Sequence, residues 1–196
     1  MKRICVFCGS SPGNRPEYRN AARSLGSLLA ERNIGLVFGG GRVGLMNEIA
    51  NAVLDAGGRV TGVIPQSLVD REVAHTGVSD LRIVGSMHER KALMAELSDG
   101  FIAMPGGIGT FEEFLEIITW GQLGFHRKPC GLLNVLGFYN GLLGFLGHAV
   151  DEGFLHSANR DSILVSASPE ELLDLFHSYE APLVDKAEKA LKELDN

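Results

Sequence analysis

The sequence predicts an α/β protein with a Rossmann-like fold, a doubly wound parallel sheet of about seven strands with helices on both faces. Three observations predict it. Short apolar runs alternate with longer helical patterns along the 196 residues. The runs are mostly continuous rather than alternating with polar residues, which is typical of strands buried on both faces. Glycine-rich turns follow several of the runs, as in sheets that bind a ligand at one edge.

The predicted strands and helices follow in order along the chain. Strands are predicted at residues 4–8, 35–38, 60–64, 81–84, 101–104, 131–134 and 163–165. Helices are predicted at residues 16–32, 44–56, 87–98, 110–122, 138–151 and 169–178. The last helix opens on Ser168 and Pro169, an N-cap followed by proline at the first helical position. We expect residues 1–180 to form a single domain and residues 181–196 a charged, solvated tail.

The composition argues against several classes of protein. A net charge of -6 disfavours a general nucleic-acid binder, which normally carries a basic face. No apolar run approaches the length of about 18 residues that a membrane span requires. The apolar run after Lys2 and Arg3 is too short for a signal peptide. Three cysteines, an odd number, do not suggest a disulfide framework, so we expect a cytoplasmic protein.

Glycine-rich turns follow three of the predicted strands, with the sequences CGSSPG at 8–13, GGGRVG at 39–44 and MPGGIG at 104–109. The carboxyl ends of parallel strands lie along one edge of a sheet, so we expect these turns to lie together. Glycine lets backbone N–H groups crowd a bound anion, and a following helix adds a partial positive charge. We therefore predict a nucleotide-sized pocket. Its substrate-binding residues in and beside these turns are Gly9, Ser10, Gly40, Gly41, Gly106, Gly107, Ile108, Gly109 and Thr110.

Two of these turns match known motifs only in part. The turn at 39–44 fits the G-x-G-x-x-G pattern of dinucleotide-binding proteins, but the next strand ends in VIPQ at 63–66, with no acid to hold a ribose. The turn at 9–13 fits the G-x-S-x-G pattern of hydrolases. There the residue after the serine is Pro12, which has no N–H for an oxyanion hole. We therefore expect neither NAD nor a serine nucleophile.

Cys5 and Cys8 form a C-x-x-C pair in the first predicted strand. Residues three apart in a strand point to opposite faces, so we expect the two thiols to be buried separately. The six histidines are scattered without the spacing of metal ligands, and we expect no metal site.

Two charged pairs accompany the turn at 104–109. Arg90 and Lys91 are adjacent near the start of a predicted helix, where arginine offers a planar fork for a phosphate and lysine a point charge. Glu112 and Glu113 point about 100° apart on a helix, so only one can face a given atom. Near a helix start and Arg90, a carboxylate should be favoured in its ionised form, as suits a base or a cation stabiliser. The alternatives are a solvated cationic face and acids that only stabilise their own helix.

Several motifs together carry a resemblance to a known family. The run PGGIGTFEE at 105–113 has the form P-G-G-x-G-T-x-x-E, and it occurs with GGGRVGLM at 39–46, MHERK at 87–91 and ITWGQLG at 118–124. In this combination and order the chain resembles the Lonely Guy (LOG) family, whose members are cytokinin-activating nucleoside 5′-monophosphate phosphoribohydrolases. The resemblance runs from residue 4 to about residue 175.

The resemblance implies hydrolysis of the N-glycosidic bond of a nucleotide, such as an N6-modified adenosine 5′-monophosphate, to a free base and ribose 5-phosphate, without a cofactor. Arg90 and Glu113 match the catalytic pair of the family. The matched substrate-binding positions are Glu72, Lys91, Glu112, Thr119 and residues 107–110. Met87, in the MHERK run, is a further predicted substrate-binding residue. The family usually forms homodimers whose interface lies near the active sites, and the apolar helices at 114–122 and 138–150 are candidates for that interface.

Two alternatives remain open from the sequence. A nucleotide-binding sensor or carrier on the same scaffold would bind a nucleoside monophosphate without cleaving it. An enzyme for a different small phosphoribosyl substrate is the second alternative, because no residue for recognising the base is evident. Whether the base released is a cytokinin or plain adenine also stays open.

Overall fold

A computed structural model describes residues 1–71 and 73–182. In this part the chain forms seven strands in one sheet, with every neighbouring pair parallel. The strands are β1 (Arg3–Phe7), β2 (Gly35–Phe38), β3 (Val60–Pro65), β4 (Asp80–Val84), β5 (Gly100–Ala103), β6 (Cys130–Leu133) and β7 (Ile163–Ser166). Each strand lies within one residue of its predicted bounds. The predicted fold class is confirmed.

The strand order β4-β3-β2-β1-β5-β6-β7 places β1 at the centre of the sheet. Val6 of β1 pairs with Phe38 of β2 on one side and with Ile102 of β5 on the other. The chain adds strands outward from β1 as far as β4, and then begins again at β5 on the opposite side. The order reverses between β1 and β5, which is the switch point where open α/β sheets bind ligands. Two of the three glycine-rich turns follow these two strands.

Helices cover both faces of the sheet. They are α1 (Pro16–Glu31), α2 (Gly44–Asp55), α3 (Gln66–Val69), α4 (Met87–Leu97), α5 (Ile108–Gln122), α6 (Asn140–Asp151), α7 (Ser157–Asp161) and α8 (Pro169–His177). The predicted helices are confirmed within two residues at each end. The sequence does not predict α3, α7 or a 3-10 turn at Val135–Gly137. These segments of three to five residues are too short to show a helical period.

Two hydrophobic layers, one on each face of the sheet, hold these elements together. Ile4 and Val6 lie in the layer formed with α1, α2 and α8, whereas Phe7 lies in the layer formed with α4, α5 and α6. Cys8 belongs to the first layer and Cys5 to the second, and both thiols are free. The prediction that the C-x-x-C pair is split between faces is therefore correct.

Two predictions fall outside the described residues. One is Glu72 as a substrate-binding residue, and the other is the charged tail from residue 183 onward. Within residues 1–71 and 73–182, no helix combines the length and the apolar character needed to cross a membrane.

Candidate active site

The turns after β1, β2 and β5 pack against one another at the carboxyl edge of the sheet, as predicted. The N–H of Gly9 donates to the carbonyl of Pro105 at 3.1 Å. A Cβ at Gly106 would lie 2.9 Å from the nitrogen of Gly9, and a Cβ at Gly44 would lie 2.3 Å from the carbonyl carbon of Ser10. Glycine is required at 44 because neighbouring backbone occupies the space of a side chain. At 106 that space is occupied by the Thr110 side chain, whose Oγ1 would lie 2.2 Å from a Cβ, and by the backbone of Gly9.

Gly107 and Gly109, at the start of α5, have a different environment. Among the described residues, and apart from the chain neighbours and the backbone of α5 itself, no heavy atom lies within 4 Å of the place that a Cβ would take at either position. Gly107 has φ -101 and ψ -158, an extended conformation that any residue adopts. The first N–H groups of α5 have no side-chain cap in the described part of the chain, which leaves them available to an anion. The described residues therefore leave open space beside the first N–H groups of α5.

A buried tyrosine fixes the turn that precedes α5. The hydroxyl of Tyr139 donates to the carbonyl of Met104 at 2.6 Å, and the N–H of Met104 donates to the carbonyl of Phe7 at 2.9 Å. Burial raises the pKa of Tyr139, which keeps the phenol protonated as a donor. Tyr139 is only 1% exposed. The sequence offers no signal for it, since a tyrosine at the start of an apolar helix also suits general packing.

Arg90 lies in the first turn of α4, whose start is fixed by two hydrogen bonds of capping side chains. The Ser86 hydroxyl accepts from the N–H of Glu89, and the Glu89 carboxylate accepts from the N–H of Gly85. Arg90 is 8% exposed, and its guanidinium is held by strand ends rather than by solvent. Its Nε donates to the carbonyl of Val63 at 3.0 Å and its Nη2 to the carbonyl of Gly39 at 2.7 Å. These bonds leave the Nη1 edge directed towards α5.

Glu113 faces this edge of Arg90 across the cleft between α4 and α5. Its Oε1 lies 3.8 Å from Nη1 of Arg90, and its side chain is 13% exposed. Burial raises the pKa of Glu113, and the lowering by Arg90 does not offset it. The expectation of a carboxylate favoured in its ionised form is wrong in direction, because desolvation outweighs the nearby cation. A buried carboxylate with a raised pKa is a stronger base than an exposed one.

Lys91 is buried against two carboxylates. Its Nζ contacts Oε1 of Glu112 and lies 3.0 Å from Oε2 of Glu116. Burial opposes the charge on Lys91, but hydrogen bonds to Glu112 and Glu116 outweigh it and raise its pKa. Lys91 and Glu112, both predicted to bind substrate, are thus paired with each other, while Glu112 keeps a half-exposed side chain. Glu116 joins them from the next turn of α5, and no motif in the sequence singles it out.

The structure places the remaining predicted residues at different distances from this cleft. Met87 brings its sulfur to 3.6 Å from Nη1 of Arg90. Thr110 is buried at the start of α5, beside the exposed Ile108. Thr119 is exposed, and its hydroxyl donates to the carbonyl of Leu115. At about 1.5 Å per residue it lies roughly 15 Å along α5 from the glycine-rich turn, so it does not join the cleft.

A short segment covers the turn after β2. Gly40 has φ 73, and its carbonyl accepts from the N–H of His75 at 2.8 Å. Gly41 forms an antiparallel bridge with Ala74. A Cβ at Gly40 would lie 3.0 Å from the Cβ of Ile64, so both packing and conformation require glycine there. The two glycines predicted to bind substrate are therefore structural in part.

Comparisons with known proteins agree with these motifs. A family model described as "Possible lysine decarboxylase" matches residues 46–176. The chain is 53% identical over 179 residues to the cytokinin riboside 5′-monophosphate phosphoribohydrolase LOG1 of Arabidopsis thaliana, covering 91% of this chain and 84% of that protein. It is 50% identical over 191 residues to the probable cytokinin riboside 5′-monophosphate phosphoribohydrolase LOGL3 of Oryza sativa subsp. japonica, covering 97% of this chain and 90% of that protein.

A solved structure shares the fold. The molybdenum cofactor binding protein of the phototrophic bacterium Rippkaea orientalis matches with a TM-score of 0.69 and 22% identity, covering 91% of this chain and 97% of that one. This likeness concerns the fold alone. Identity of 50% or more to the plant proteins along nearly the whole chain, together with the family model, decides the family. The chain belongs to the Lonely Guy (LOG) family.

Proposed function

We propose that the chain hydrolyses the N-glycosidic bond of a cytokinin riboside 5′-monophosphate, releasing the free base and ribose 5-phosphate. The observation that carries this proposal is the buried pair of Arg90 and Glu113 beside the open start of α5. The family relatives named above are phosphoribohydrolases, and this supports an enzyme over a non-catalytic carrier.

Binding begins with the phosphate. The uncapped N–H groups at the start of α5, together with the turn of Gly107 and Gly109, receive it in the space that has no side chains. The sugar then lies towards the cleft between α4 and α5. This orientation brings the bond between ribose and base next to Glu113 and the Nη1 edge of Arg90.

Chemistry follows from the charge that develops on the sugar. As the C–N bond breaks, its electron pair leaves with the base, and positive charge grows on the ribose as in other glycosidic cleavages. The buried Glu113 carboxylate stabilises this charge and accepts a proton from the water that attacks the anomeric carbon. Its raised pKa helps it to hold that proton. The departing base takes up one proton from solvent at the nitrogen that carried the ribose, so the free base leaves neutral and the charges balance. Arg90 orients Glu113 and offers an N–H to the substrate.

The pairing of Lys91 disfavours decarboxylase chemistry at this cleft. A lysine that forms a Schiff base reacts as the free amine. The two carboxylates around Lys91 raise its pKa and keep it charged. We therefore propose that Lys91 fixes the positions of Glu112 and Glu116 and contacts the substrate as a cation.

The central experiment measures base release by chromatography from AMP and from an N6-prenylated AMP. We expect Glu113→Gln and Arg90→Ala each to lower kcat by about 100-fold to 10,000-fold, the usual range for a positioned acid or base. Circular dichroism and melting temperature check that both variants fold. A folded variant with parental turnover would contradict the role of its residue. Binding of AMP by the parent protein without any release of base would support the carrier alternative.

We also propose a homodimer. Within the described residues, α6 contains no fully buried side chain although it is largely apolar. Phe145 is 65% exposed and Phe154 is 86% exposed, and we propose that a second copy of the chain covers these side chains. Thr119 and Leu115 lie on the outer side of α5, so a dimer through this side brings Thr119 towards the site of the partner. Light scattering of the parent and of Phe145→Glu tests this, with a monomer expected for the variant.

We propose that the protein is located in the cytoplasm. We propose neither nucleic acid nor a membrane as a partner. The three cysteines of the chain are buried and free, as in proteins of reducing compartments. Fractionation of the native host with an antibody to the protein tests this.

A further inference from the structure

We propose that Gly39 is a positioning residue for Arg90, because the absence of a side chain at the end of β2 provides the space in which the guanidinium lies. The proposal rests on the role proposed above for Arg90. Gly39 belongs to none of the substrate-binding positions predicted from the sequence. It acts on the reaction only through the place that it gives to Arg90.

The contact between Gly39 and Arg90 is the first observation. The carbonyl of Gly39 accepts from Nη2 of Arg90 at 2.7 Å. A Cβ at Gly39 would lie 1.9 Å from that same Nη2 and 3.0 Å from Cζ. The third nearest atom is the sulfur of Met46 at 3.5 Å, an ordinary contact. A methyl group at this position therefore collides with the guanidinium and with no backbone atom among its nearest neighbours.

The backbone of Gly39 is the second observation. The glycines of this turn with positive φ are Gly40, at 73°, and Gly44, at 55°. Gly39 is not among the described glycines in the left-handed region, so its conformation is open to alanine. The structure thus requires glycine at 39 for space rather than for conformation, and the space is filled by Arg90.

The consequence for the cleft follows from the hydrogen bonds. The hydrogen bonds from Nε of Arg90 to the carbonyl of Val63 and from Nη2 to the carbonyl of Gly39 fix the plane of the guanidinium. They direct Nη1 towards Glu113. Displacing Nη2 breaks the bond to Gly39 and turns the whole planar group, since a guanidinium moves as a unit. Nη1 then no longer faces Glu113. Gly39→Ala is therefore a way to move Arg90 while leaving its charge in the protein.

The experiment compares Gly39→Ala, Arg90→Ala and the double variant in the full chain. The matched control is Gly35→Ala at the other end of β2, where a Cβ would lie 3.2 Å from Cγ of the flexible Arg3 side chain. We expect Gly39→Ala to lower kcat for base release from AMP by about 100-fold, with KM changed less than about 3-fold, as for the loss of one preorganised donor. Gly35→Ala should keep parental kcat and KM.

Two further readouts separate positioning from a general structural effect. Arg90 lowers the pKa of Glu113, so the acidic limb of the profile of kcat/KM against pH should move to higher pH in Gly39→Ala and Arg90→Ala, and stay in place in Gly35→Ala. The double variant should be no slower than Arg90→Ala, because both changes act on one group. If Gly39→Ala folds poorly, Arg90→Ala should restore its melting temperature by vacating the space.

The outcomes are distinguishable. Parental turnover in Arg90→Ala would overturn the proposed role of Arg90 itself. If Arg90→Ala loses turnover while Gly39→Ala keeps the parental turnover, only the positioning role of Gly39 is overturned. The positioning role would also be overturned if the double variant were slower than Arg90→Ala by the full effect of Gly39→Ala. The same holds if Gly39→Ala lowers the melting temperature and the added Arg90→Ala change does not restore it.

Discussion

Two groups of glycines at this edge of the sheet have opposite surroundings. A Cβ at Gly44 would meet the backbone of Ser10, and one at Gly106 would meet the side chain of Thr110 and the backbone of Gly9. Apart from the chain neighbours and the backbone of α5 itself, a Cβ at Gly107 or Gly109 would have no neighbour within 4 Å among the described residues. The first group is required by the folded chain, and the second leaves space that the folded chain does not use. The difference separates glycines that hold the turns together from glycines that, in the proposed function, admit the phosphate, although both occur in the same motifs.

The largest expected effect is at Gly44. Alanine there would have φ 55 and a Cβ 2.3 Å from the carbonyl carbon of Ser10. Strain in this region and overpacking each cost about 1–3 kcal/mol, so we expect Gly44→Ala to lower the free energy of unfolding by at least about 2 kcal/mol. Urea denaturation measures it. A loss below about 1 kcal/mol would show that the turns need not pack closely.

Removal of the Tyr139 hydroxyl, which fixes the turn after β5, should lower the free energy of unfolding by a smaller amount. Tyr139→Phe leaves the buried carbonyl of Met104 without its donor, and we expect a loss of about 1–3 kcal/mol in the free energy of unfolding. Because this carbonyl lies directly before the glycine-rich turn, KM for AMP should also rise. Tyr18→Phe is a matched control, since Tyr18 is a half-buried tyrosine outside this hydrogen bond. Equal effects of the two changes would contradict the assigned role of Tyr139.

A substitution at Gly109, one of the two glycines with open space around them, should raise the free energy of unfolding rather than lower it. Gly109 lies in the first turn of α5, where alanine is a better helix former by about 0.5–1 kcal/mol. We expect Gly109→Ala to raise the free energy of unfolding by up to this amount while KM for AMP rises about 10-fold, as the methyl group enters the phosphate space. A stabilised variant with unchanged KM would place the phosphate elsewhere.

The smallest effect concerns the buried carboxylate. A raised pKa means that ionised Glu113 lowers stability above that pKa, and that stability returns as pH falls towards the ordinary value of 4.5. Glu113→Gln, inactive by proposal, should therefore melt at a higher temperature than the parent at pH 8, and the difference should shrink towards pH 4.5. Melting curves across this range measure it. A variant less stable than the parent at pH 8 would mean that the ion pair with Arg90 outweighs burial.

The sequence predicted the strands well and the details of the cleft less well, for physical reasons. The run at 101–104 identifies a buried strand because continuous apolar residues carry the signal themselves. The motifs also brought Arg90 and Glu113 to one place. The contacts of Arg90 with Val63 and Gly39 depend on which strand ends lie beneath α4, and that is a property of the assembled sheet.

The expectation that Glu113 is favoured in its ionised form was wrong because it, too, depends on the packing of the assembled fold. A helix start and a nearby cation are visible in the sequence, but the degree of burial that raises its pKa is set by packing. The pairing of Lys91 with Glu112 and Glu116 was likewise hidden, because the partners lie 21 and 25 residues away on another helix.

The cluster between α4 and α5 gives the cleft an electrical polarity. Two cations, Arg90 and Lys91, face three carboxylates, so one negative charge is in excess when all are ionised. The start of α5, a few ångströms along the same helix, carries the opposite sign. A nucleotide is itself a dipole during cleavage, with a phosphate anion at one end and a growing cation at the sugar. Under the proposed mechanism only one direction of entry matches both signs, and the protein would thereby select the orientation of its substrate before any atom of the base is recognised.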